Sequence, residues 1–113
     1  RLLRAIRTPA LRSGEWRLCE RSGWPDNQSC LNLVAWCWRQ ADERRLIVVN
    51  LSAEPSQGLI RVPWDDLAGC SWRLTDLLTQ AVYDRDGTDM HQAGLYIDLD
   101  PWQAHFLAFS SSP

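Results

Sequence analysis

The residues that could carry chemistry in this 113-residue chain are few and scattered. Carboxylates cluster as Asp65-Asp66, as Asp84, Asp86 and Asp89, and as Asp98 and Asp100. Acid–base cleavage of a sugar linkage needs two carboxyls held across the ring in different environments. Asp98 and Asp100 share one face of an expected strand, but alternating acids near a strand end are ordinarily solvated. The segment DRDGTD, residues 84–89, is rich in oxygen. Its Gly stands fourth rather than sixth, as an EF-hand loop would require, so the segment reads as a polar turn. No metal site and no cofactor is expected. His91 and His105 are the only histidines. A small hydrolase built on them with a nearby Asp is one reading, yet no Ser or Cys nucleophile accompanies them in sequence. His105 lies in an aromatic strand, where a structural hydrogen bond suits it better.

Seven tryptophans are a stronger signal. An exposed indole stacks on flat ligand faces. Trp24 and Trp64 fall in loops and are the candidate carbohydrate anchors, which makes an independent carbohydrate-binding module a second reading, with α-glucan as ligand. Trp16, Trp36, Trp38, Trp72 and Trp102 lie on strands or at their edges and are expected in a core or a domain interface. Asn50 closes the run LIVVN and Asp76 sits within LTDLL. Both suit structural hydrogen bonds to local backbone.

Those residues need a scaffold, and its pattern is short strands. Trp16 and Leu18 alternate with Arg17 and Cys19, so residues 15–20 read as a first strand. SGWPDNQS, residues 22–29, is a turn. Residues 31–39 form a strand that is apolar on both faces, with Leu33, Ala35 and Cys37 against Val34, Trp36 and Trp38. RLIVVNL, residues 45–51, is β-branched and completes a hairpin with it. Further strands are expected over 59–62, 72–78, 81–83, 94–99 and 104–109, and WDDLAG reads as a helical turn or an irregular loop. In front, Leu2, Leu3 and Ile6 share a helical face that Pro9 ends. The predicted fold is mainly β: an antiparallel, Greek-key-like sandwich of seven to eight strands preceded by a short N-terminal helix.

Charge and cysteines narrow the partners. Residues 1–21 carry six Arg and two Glu, and the remainder carries six Arg and twelve acids. Lys is absent and apolar residues interrupt the Arg, so this is a solvated helix end rather than a nucleic-acid arm. No apolar run reaches membrane-spanning length. Neither nucleic acid nor membrane is an expected partner. Cys19, Cys30, Cys37 and Cys70 show no close-paired metal spacing, and buried thiols are favoured over disulfides. Compartment stays open, with the cytoplasm favoured.

The order of these pieces resembles the α-amylase family of glycoside hydrolases where the catalytic barrel passes into the C-terminal β-sandwich, domain C. LLRAIRTPALRSGEW is similar to the last barrel helix and its exit turn. LVAWCWR, RRLIVVNLS, WRLTDLLT and LYIDLDPWQAHFLAF follow in the family's order. The resemblance divides the chain into a barrel-helix tail at residues 1–13 and a sandwich domain at 14–113. It implies a parent glycoside hydrolase or glucanotransferase acting on α-glucosidic bonds through barrel carboxylates. None of those motifs occurs here, so no catalytic residue carries over and the chain alone is expected to be no enzyme. Its partner would be the barrel of the same parent chain, met through Leu2, Leu3, Ile6, Trp36 and Trp38. Exposure of that surface would favour self-association.

Overall fold

A computed structural model describes residues 15–40 and 43–111. Among the described residues, nine strands form two antiparallel sheets. The strands are β1 (Glu15–Leu18), β2 (Glu20–Ser22), β3 (Leu33–Gln40), β4 (Glu43–Asn50) and β5 (Ser56–Arg61). They continue with β6 (Ser71–Asp76), β7 (Val82–Asp86), β8 (Leu95–Leu99) and β9 (Ala104–Ser111). The larger sheet runs β1-β3-β4-β9-β6-β7, and the smaller runs β2-β5-β8. Between β7 and β8 lies one short helix, α1 (Gly87–Gln92). The sandwich expected from the strand pattern is therefore the observed fold. The front helix and the boundary at residue 13 lie outside the described residues.

Two local expectations change. The strand expected over 15–20 is two strands. The Cys19 amide donates to the Ala35 carbonyl, ending the pairing with β3, and Glu20 then pairs with Arg61 in the other sheet. The chain thus crosses from one layer to the other at Cys19, which is buried between them. DRDGTD is not a turn either. It finishes β7 and starts α1, where the Asp86 carboxylate accepts from the Thr88 amide at 2.9 Å and caps the helix. An Asp at that position satisfies one of the orphan amides of the first turn.

The core fills the space between the sheets. From the six-stranded sheet come Leu33, Ala35, Cys37, Leu46, Val48, Leu74, Leu107 and Phe109. Ile60, Leu95, Ile97 and Leu99 answer them from the three-stranded sheet. Alternation along each strand explains the choice, since successive side chains point to opposite faces. Trp64, Leu67 and Met90, from the connections, close the rim.

Asn50 pins one end of the sandwich. It is fully buried at the end of β4. Its Nδ2 donates to the carbonyls of Glu54 at 2.8 Å and of Leu99 and Asp100 at 3.1 Å. Its Oδ1 accepts from the hydroxyls of Ser52 at 2.9 Å and Ser56 at 3.2 Å. One side chain thereby ties β4, the 51–55 turn and the end of β8 together. Asn50→Ala strands several buried polar groups, and we expect a loss of about 2–4 kcal/mol in urea unfolding. A change under about 0.5 kcal/mol would show the pin to be dispensable.

Candidate functional site

The feature that a sandwich alone does not explain is the outer face of the six-stranded sheet. Register places Trp16 beside Trp38 and Leu18 beside Trp36 across β1 and β3. Trp36 lies beside Ile47, and Ile47 beside Phe106, across β3, β4 and β9. This face points away from the three-stranded sheet. Trp38, Ile47 and Phe106 are nonetheless buried and form a second apolar cluster with Val49 and Leu78. Around them Trp16, Leu18 and Trp36 are 38%, 70% and 36% exposed. The Trp16 and Trp38 rings are tilted at 49° with centroids 6.4 Å apart. Of the interface residues expected from sequence, Trp36 and Trp38 lie on this one face, while Leu2, Leu3 and Ile6 lie outside the described residues.

The two loop tryptophans part company. Trp24 is half-buried at the base of a tight turn, bridged to Asn27, with its ring against Tyr96. Trp64 is only 4% exposed, so it offers no ring face to a sugar. It packs edge-on against Phe109, with centroids 5.2 Å apart. The Arg44 guanidinium lies 5.5 Å from the Trp64 ring centroid and 4.9 Å from that of Trp72. Arg44 also grips Asp66 through both guanidinium nitrogens, the Nη1 contact being 2.6 Å. That hydrogen bond to Arg44 holds the Asp66 carboxyl below its ordinary value, with Arg44 and Arg39 adding charge attraction against the opposing effect of burial. A buried cation must be paired, and two indole faces plus one carboxylate do so here. Trp102 departs from expectation in the other direction: it is 65% exposed on the β8–β9 turn, with φ of 60°.

Chemistry-bearing side chains are not gathered into an active site among the described residues. His91 lines an open cleft of about 460 Å³ with Arg17, Glu20 and Arg61. His105 sits elsewhere, its Nδ1 2.8 Å from the Asp76 carboxylate and its ring edge-on to Tyr83. The histidines do not converge, which removes the geometry a small hydrolase would need. Asp98 lies in the outer row of the smaller sheet, opposite Gln57. The four cysteines stand as thiols, with Cys19, Cys30 and Cys37 buried. Contact with the Cys37 thiol, aided by burial, pushes the Cys19 pKa up. It is an inert neutral thiol rather than a nucleophile.

Sequence reasoning missed Arg44 and Tyr96, and for Trp102 it gave a core or interface place but no sign of the turn that leaves it exposed. Arg44 is one of two adjacent arginines, and only register sends it inward while Arg45 faces out. Tyr96 gave the alternating signal of any half-buried strand. The αL backbone of Trp102 follows from the turn in which the Gln103 amide reaches the Asp100 carbonyl at 3.1 Å.

No family model and no curated protein matches the sequence. Solved structures do match the fold. An alpha-amylase from Geobacillus thermoleovorans, crystallised with acarbose, superposes with a TM-score of 0.65 at 17% identity over 94% of this chain and 20% of that one. The noncanonic maltogenic alpha-amylase AmyB from Thermotoga neapolitana gives 0.65 at 13% identity over 90% of this chain and 22% of its own. The trehalulose synthase MutB from Pseudomonas mesoacidophila gives 0.52 at 25% identity over 92% and 16%. These neighbours are α-amylase-family enzymes. The chain has the fold of one segment, about a fifth of the length of the two amylases.

Asp76 makes the stability of the domain sensitive to acid. It is fully buried at the end of β6. Burial alone would raise its pKa. Hydrogen bonds from His105, from the Leu78 amide at 2.9 Å and from the Phe106 amide at 3.4 Å outweigh that and hold it below 3.8. Folding therefore favours the carboxylate. Its stabilisation is present above about pH 4 and is lost as pH falls through the lower, folded-state value. We expect Asp76→Ala to cost about 2–4 kcal/mol at pH 7 and to flatten the acid limb of the stability–pH curve. An acid limb of unchanged steepness in the variant would assign acid sensitivity to other carboxylates.

Proposed function

We propose that this chain is the noncatalytic C-terminal β-sandwich domain of an α-amylase-family glycoside hydrolase or glucanotransferase acting on α-glucosidic bonds. Its work is to buttress the catalytic barrel of the same parent. The observation that carries this reading is the outer face of Trp16, Leu18 and Trp36, set over the buried Trp38, Ile47 and Phe106. A sheet face this apolar is stabilised by burial, at about 25 cal/mol per Å² removed from water. What supports a barrel as the occupant is that four-fifths of the alpha-amylase from Geobacillus thermoleovorans lies outside the matched segment. That remainder is where the parent's catalytic carboxylates belong, and residues 1–13 are its helix tail. An isolated chain would pair with a second copy through the same face.

The test is to express the chain and the reading frame that precedes it as two polypeptides in one cell. The two should copurify, and the thermal half-life of glucosidic activity should exceed that of the upstream part alone. A Leu18→Glu, Trp36→Glu double variant should weaken that association at least roughly tenfold, because it drives two carboxylates into an apolar contact. The variant chain's own stability should change by less than about 1 kcal/mol, since both positions are partly exposed. Separate elution with unchanged activity, or an upstream frame without a barrel, would overturn the reading.

A further inference from the structure

We infer that Trp24 and Tyr96 form a stacking site for an α-linked glucan oligosaccharide on the outer face of the three-stranded sheet. The ligand class rests on the proposed function; the site rests on its own geometry. The two rings lie 6.2 Å apart between centroids and are tilted by 58°. Trp24 is half-buried and Tyr96 is 46% exposed. Aromatic faces of this kind bind the apolar faces of sugars, and a polar fringe then fixes orientation. That fringe is present. Register pairs Leu59 with Tyr96 and Gln57 with Asp98 on the same face of β5 and β8. Neither the Asp98 carboxylate nor the Gln57 side-chain amide has a hydrogen-bond partner among the described residues.

The loop that carries Trp24 is held in place before any ligand arrives. Trp24 and Asn27 exchange backbone hydrogen bonds at 3.1 and 3.0 Å, and the Gln28 side chain donates to the Trp24 carbonyl at 2.6 Å. The Asn27 side chain accepts from the Ser29 hydroxyl at 2.7 Å, and that hydroxyl also accepts from the Gln57 amide at 2.9 Å. Gly23 leaves room for this closure: a Cβ there would stand 2.8 Å from the Asn27 carbonyl oxygen and from the Cys30 sulfur. A pre-ordered aromatic loses little entropy on binding. The tilt selects the ligand. A flat, β-linked ribbon suits coplanar rings, whereas an α-linked chain coils and presents successive residues at an angle. The site lies on the opposite side of the sandwich from Trp36, so a barrel seated there leaves it open.

Titration of the full chain with maltoheptaose, followed by amide chemical shifts and tryptophan fluorescence, tests the inference. Saturable shifts centred on Trp24, Gln57, Tyr96 and Asp98 are expected. Trp24→Ala and Tyr96→Ala should weaken binding at least roughly tenfold, while Trp24→Phe retains most of it and Trp36→Ala, on the far face, retains all of it. Shifts centred elsewhere, no saturation, or equal binding of cellohexaose would overturn the assignment. The shift map comes from the unmodified chain, so it locates the ligand even where an alanine variant fails to fold. Glucan binding without barrel pairing would sink the buttress reading and keep the site; barrel pairing without glucan binding would do the reverse.

Discussion

The larger sheet is apolar on both faces across β3, β4 and β9, and the three-stranded sheet covers only one of those faces. This mismatch governs the molecule. One face of β3, β4, β9 and β6 meets the smaller sheet and forms the main core. The other face carries Trp38, Ile47 and Phe106, with Trp16, Leu18 and Trp36 around them. A free-standing domain with one solvated face would alternate apolar with polar along its strands. Here β3 reads LVAWCW without a polar residue until Arg39. This strand is written for cover on both sides, and that is why the function proposed is mechanical.

Buried polar groups close the sandwich ends. At one end Asn50 bonds to the turn after β4 and to the end of β8, and Asp76 joins β6 to β9 through His105 and the Phe106 amide. At the other, Arg44 lies among Trp64, Trp72 and Asp66. Each costs desolvation, which its partners offset, and each is geometrically demanding. Asn50 ties the larger sheet to the end of β8 in the smaller one, Asp76 locks β6 to β9, and Arg44 fixes the 64–66 segment on the larger sheet. A fixed sandwich can present the outer apolar face on one side and the Trp24–Tyr96 pair on the other as rigid surfaces.

Much of this was legible in the residues. β-Branched runs and alternation gave the strands, and LVAWCW disclosed a strand apolar on both faces. Asn50 was readable as a partner of local backbone because it is a polar residue closing an apolar run, and Asp76 within LTDLL allowed a similar reading. Most of what escaped depends on long-range register. The crossing at Cys19 follows from β2 pairing with β5, far along the chain. Trp64 is buried because Arg44 and Phe109 come to it from β4 and β9. Local pattern saw only a loop tryptophan. Tyr96 acquires meaning through Trp24, far off in sequence, and α1 was hidden because an Asp-rich turn and a capped helix start share the same composition.

On the reading proposed above, the outer face of the larger sheet is covered in a parent protein while that of the smaller sheet is not. Hydroxyl-radical footprinting of the intact parent against this chain alone addresses it directly. Trp16, Leu18 and Trp36 should lose most of their labelling in the parent while Tyr96 and Trp102 keep theirs. Equal labelling of Trp36 in both, or protection of Tyr96 in its place, would contradict it.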